Sequence, residues 1–144
     1  MSKDVCDLLF RLLFSFIFLA LGAEHILSDG LIQKLMPAWI PAPGAVSILV
    51  GIILMIGGIC IVLGWRLRFA AVLLGTFVII VTLTVHLPAV VMDPHFVNES
   101  NKWMWDILQR SNLAKNLCLL GVCILLWHHK PGRWSLDHRL RGSD

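Results

Sequence analysis

No two of the four cysteines, Cys6, Cys60, Cys118 and Cys123, are spaced C-x-x-C, and no His/Cys group has zinc-ligand spacing. A redox dithiol and a structural zinc site are set aside on that ground. All four cysteines fall in or beside apolar segments, where a free thiol behaves as a small hydrophobe, so they read as reduced core residues. Flavin and dinucleotide fingerprints are missing too, as is a c-type haem attachment motif, so the chain supplies no electron carrier of a recognisable kind. There is no small-residue cleavage site after the first apolar run, which continues too long for a signal peptide and reads as a retained span. Internal repeats are not visible. Charge is sparse, at 15% of residues with a net of +3, and no nucleic-acid partner is expected.

What is abundant is apolar surface. Apolar residues make up 58% of the 144 residues, and the mean hydropathy is +0.81. A soluble domain of this length would have too much apolar surface to hide, so the expected class is all-α, an integral membrane four-helix bundle. Spans are expected at about 7–27, 44–63, 68–87 and 107–127, the third stopped by Pro88, with a basic cytoplasmic tail over 128–144 held against anionic lipid. The fourth span has a clean apolar run of only 11 residues, Leu117 to Trp127, so a full crossing must include Gln109, Asn112, Lys115 and Asn116. Four spans bring both termini to one side. Lys3, Arg11, Arg66, Arg68, Lys130, Arg133, Arg139 and Arg141 fall on that side; Lys34, Lys102, Arg110 and Lys115 fall on the other. Eight against four makes the first side cytoplasmic. Trp65, Trp127 and Trp134 on that side, and Trp39, Trp103 and Trp105 on the other, form an aromatic belt at each interface.

Helical spacing sorts the polar residues into faces. Asp7, Arg11, Ser15, Phe18, Gly22 and His25 share one face of the first span, with Asp7 and Arg11 an i,i+4 pair of structural character near the cytoplasmic end. Ser47, Gly51, Met55 and Gly58 make a small-residue seam on the second span. Arg68, Gly75, Thr82 and His86 share a stripe on the third, and Gln109, Asn112, Asn116 and Cys123 share a face of the fourth, flanked by Lys115. His25, His86, Asn112, Lys115 and Asn116 come out at one depth in the outer half, where a ligand pocket is geometrically available. The bland alternative has the asparagines hydrogen-bonding neighbouring helices and Lys115 pairing with Glu24 or reaching water. His25, Met36, His86, Met92, His95 and Met104 include copper donors, but their spacing is not diagnostic and no metal is assigned.

In the order Arg11…Gly22…His25, "LMPAWIPAPG", "GIILMIGGICIVLGWRLRFAAVLLG" and "NLAKNLCLLG", the chain resembles the DoxX-like family of small four-span bacterial membrane proteins, whose last span ends in a similar K-N-L-A-L-L-G. The resemblance implies a four-helix bundle in the bacterial cytoplasmic (inner) membrane, associated with membrane redox complexes. Many relatives carry an acidic residue in the second span where this chain has Leu54, so no role resting on that carboxylate is carried over. The expected function is an accessory subunit of a membrane redox system rather than a self-sufficient oxidoreductase. It would bind a quinone or other lipophilic molecule, with lipid, redox-complex subunits or a second copy as partners. Haem held between His25 and His86 stays open. The alternative is a non-enzymatic scaffold or chaperone-like partner of another membrane protein, with a small transporter ranked last.

Overall fold

The computed structural model describes residues 2–27, 30, 36, 39–92 and 99–141. The candidate donor His95 lies outside the described residues. The described residues contain helices and no strand: α1 (Lys3–Leu27), α2 (Pro43–Leu63), α3 (Leu67–Val81), α4 (Leu87–Val91), α5 (Lys102–His128) and α6 (Leu136–Arg141). Four stretches are long and apolar enough to cross a membrane: α1, α2, the continuous Leu67–Val91 and α5. The molecule is an all-α bundle of four spanning helices, and it is a membrane protein.

In a lipid environment an apolar side chain gains little by turning inward, so small and polar residues decide which faces meet. The buried residues of α1 are Asp7, Arg11, Ser15, Phe18 and Gly22, spaced by four and three. Gly51 of α2 lies against this face; a Cβ there would stand 2.9 Å from Gly22 O and 2.6 Å from an Ile26 side-chain carbon. Backbones approach that closely only where a side chain is missing. Helix α2 then packs on α3, and α3 on α5. The common core contains Phe18, Leu54, Ile61, Leu74, Val78, Cys123 and Leu126. Phe10, Phe14 and Phe18 run up α1 as a ladder, ring centroids 5.8 and 5.3 Å apart. Leu13, Phe16, Ile80, Leu117 and Leu125 point outward, as lipid-facing residues must.

The third span does not end at Pro88. It passes through a π-helical turn, Thr82–His86, and continues as α4 to Val91. The cause is local. Pro88 has no N–H to give Thr84 O, and its ring would crowd that carbonyl in a regular α-helix. The chain widens instead: Leu87 N–H reaches back five residues to Thr82 O, and the Thr84 hydroxyl donates to Ile80 O at 2.7 Å. Helix α5 is 27 residues long, about 40 Å at 1.5 Å per residue. It carries Trp103 at one interface and Trp127 at the other.

The tail is tied to the bundle by hydrogen bonds. Residues 129–137 fold back over the end of the bundle where α1 begins. The Gly132 N–H donates to Asp7 Oδ2 at 3.0 Å, and the Arg133 N–H to Asp4 Oδ1 at 3.0 Å. The Asp137 N–H reaches Gly64 O at 3.2 Å, while Asp137 Oδ2 accepts the Arg66 N–H at 3.1 Å. Ser135 opens α6, its hydroxyl accepting the His138 N–H at 3.2 Å. The start of α1 and the segment after α5 therefore meet at one end, called the basic end below.

Candidate functional site

Two polar assemblies lie at opposite ends of the bundle. At the basic end, Arg11 is fully buried and spends its guanidinium on three segments of chain. Its Nε donates to Asp7 Oδ2 at 2.9 Å, one Nη to Val62 O at 2.5 Å and the other to Trp134 O at 2.9 Å. Asp7 also takes His129 Nε2 on Oδ1 at 2.6 Å. A guanidinium has the fork of donors this needs, and a lysine does not. The turn below it depends on Gly64, whose φ is +61°; a Cβ there would meet Ser135 Cβ at 2.5 Å and Arg11 Nη1 at 3.0 Å. The network ties α1, the α2–α3 connection and the tail together, and every acceptor in it is filled.

At the far end the polar residues lie on the seam between the third span and α5. Gln109 and Asn116 are buried on α5, a heptad apart and in line with Cys123. Each is matched across the seam by a residue of the π-turn. His86 Nδ1 donates to Gln109 Oε1 at 3.0 Å, and Asn116 Nδ2 donates to Thr82 Oγ1 at 3.0 Å. With Nδ1 as the donor, the neutral His86 ring keeps a lone pair on Nε2. Lys115 donates one of its three protons to Asn112 Oδ1 at 3.0 Å, one turn back on the same helix. The widened turn matters here: it is where the backbone leaves α-helical phase, and such turns are frequent at functional sites.

Of the residues singled out from the sequence, His86, Asn112, Lys115 and Asn116 share this seam. His25 does not join them through any hydrogen bond. Its Nδ1 lies 3.0 Å from Ser47 Oγ, and the Ser47 hydroxyl donates to His25 O at 3.0 Å, so the ring is tied to α2. Because the single hydroxyl proton goes to the carbonyl, the ring nitrogen is the donor in that pair. Lys115 pairs with Asn112 and not with Glu24. Gln109 and Thr82, left out of the expected site, are the partners that organise it. Their signal lay in the spacing: Gln109, Asn116 and Cys123 repeat every seven residues, and Thr82 precedes His86 by four. No group of three or more His, Cys, Asp or Glu side chains suited to a metal occurs among the described residues.

Two further hollows lie nearer the basic end. One, of about 400 Å³, opens between the start of α3 and the chain after α5. The other, of about 200 Å³, is an apolar groove along the α3–α5 seam, between Gly75 and Ile79 on one side and Leu120, Cys123 and Trp127 on the other.

The sequence model of the DoxX family matches residues 6–87, more than half of the chain. That stretch includes Arg11, His25 and His86 and stops before α5. No curated protein and no solved structure matches.

Proposed function

The chain belongs to the DoxX family, and from that premise we propose that it is an accessory subunit of a membrane redox system that binds a quinone or similar lipophilic molecule at the far end of the third-span–α5 seam. One observation carries the reading. Lys115 has two protons left after serving Asn112, and it stands beside the His86–Gln109 and Asn116–Thr82 pairs within a membrane span. A cation at such depth costs roughly 3 kcal/mol on insertion scales, so a passive lysine is an expensive choice. A ring with carbonyl oxygens uses these groups well. The Lys115 ammonium polarises one oxygen, and His86 Nε2 accepts from a ring hydroxyl in the reduced form. The tail of the molecule rests in lipid beside the exposed Leu83 and Leu87. In this reading the seam opens to the outer side of the bacterial cytoplasmic membrane, and the electrons come from a partner subunit.

The test is extraction in mild detergent followed by mass spectrometry of bound small molecules and partner chains. Lys115→Met keeps length and apolar bulk. It is expected to lower quinone retention at least tenfold while expression and melting temperature stay near those of the parent. Unchanged retention, or loss of folding, sinks the reading.

A second reading, a non-catalytic membrane partner, is favoured by one feature. Ser111, Ala114, Cys118 and Gly121 form a stripe of exposed small residues down α5, the kind of surface on which another spanning helix packs closely. If that helix belongs to a second copy, mild oxidation in membranes links two chains through Cys118, and Cys118→Ser abolishes the linked band. A chain that stays single under oxidation excludes self-association on this face.

A further inference from the structure

The 400 Å³ hollow at the basic end has a charge pattern that neither the bundle nor the seam accounts for. Arg66, Arg68 and Lys130 line it together with His128 and His129, and Asp137 is the one carboxylate among them. Counting both histidines as neutral, three cations face one anion, a net of +2. Asp137 is already committed on Oδ2 to the Arg66 N–H. The nearby acids are committed as well: Asp7 to Arg11, His129 and Gly132, and Asp4 to Arg133. Arg68 and Lys130 form no ion pair with any described residue. The first turn of α3, Leu67 to Phe69, also lines the hollow, and no side chain caps that helix. Its leading N–H groups and the positive end of its dipole add to the same field. Arg66 is held at this level by its own neighbour, with Cζ 5.4 Å from the Trp65 ring.

We propose that this hollow binds a phosphate-bearing anion, and that its source is the headgroup of an anionic phospholipid. The shared chemistry is a phosphate set between Arg68, Lys130 and the start of α3. Lipid is favoured over a soluble phosphate by what lies one helical turn deeper. There the apolar groove of about 200 Å³ runs along the same two helices, from Ala71 and Trp127 towards Ile79 and Leu120. A headgroup in the hollow brings an acyl chain to the mouth of that groove, and basic pockets between spanning helices at this membrane level suit such lipids. A soluble phosphate leaves the groove without a role.

The full chain purified in mild detergent tests this by native mass spectrometry, with dioleoylphosphatidylglycerol and dioleoylphosphatidylcholine as probes. The parent is expected to retain phosphatidylglycerol in preference to phosphatidylcholine. Arg68→Gln with Lys130→Gln should weaken that retention at least tenfold. Arg139→Gln with Arg110→Gln removes the same charge outside the hollow and should change it less than twofold. Melting temperatures without lipid confirm that both variants fold, since all four side chains are exposed. Inorganic phosphate at millimolar concentration separates the sources. If it leaves lipid retention and melting unchanged, the headgroup is the ligand. If it displaces the lipid and stabilises the parent but not the Arg68/Lys130 variant, the phosphate site stands and its source is soluble. Equal loss in both double variants, or equal retention of the two lipids by the parent, overturns the proposal.

Discussion

Arg11 carries a full charge into the packed end of the bundle, and three different parts of the chain supply its acceptors. Removing it leaves Asp7, Val62 O and Trp134 O short of a donor at once. Breaking a buried pair from one side typically costs about 3–5 kcal/mol, because the remaining charge stays uncompensated. Arg11→Ala should therefore lower the melting temperature in detergent far more than Arg110→Ala. Among the described residues Arg110 makes only a 4.0 Å contact with Asp106, and its side chain is 73% exposed. Comparable losses in the two variants would show that the Arg11 network does not hold the end together. At this scale the sequence was informative within a helix and silent between segments. The i,i+4 spacing of Asp7 and Arg11 put them on the inward face. Nothing local to α1 pointed to Val62, His129 or Trp134, because those contacts exist only after the tail has turned back over the bundle.

At the scale of elements, apolar run length located the four spans, while the departure at Pro88 arose where a backbone device replaced a break. Pro88 reads as a stop because it removes a helical donor; packing against α5 keeps the helix going, and the π-turn absorbs the misfit. That turn also brings Thr82 and His86 to Asn116 and Gln109, so half of the far seam depends on a feature that run length does not encode. The attachment of the tail is likewise not encoded in run length or composition. Ser135 and Asp137 give it a helix start and an attachment to the α2–α3 connection. Gly64 is the pivot of that attachment, and a side chain there collides with both Ser135 and Arg11. Gly64→Ala is expected to lower the melting temperature clearly. Gly121→Ala is the matched control, because a Cβ at Gly121 meets nothing within 4 Å. If the control is as damaging as Gly64→Ala, the close contact at the tail attachment is not limiting.

For the whole molecule, the folded-back tail bears on orientation. Asp4 and Asp7 of α1 are bonded to Arg133 and Gly132, so both ends of the described chain lie on one side by direct contact. That side also gathers Arg66, Arg68, Lys130, Arg139 and Arg141, whereas the far end has Lys102, Arg110 and Lys115. Arginine and lysine near the ends of spans resist translocation, and the side richer in them stays inside. The basic end should thus face the cytoplasm, and the His86–Lys115 seam should face outward. A reporter active only outside the cytoplasm, fused after Asp144, is expected to be silent; the same reporter inserted between the third and fourth spans is expected to be active. The reverse pattern would move the polar seam to the cytoplasmic half, where a partner would have to approach it from inside the cell.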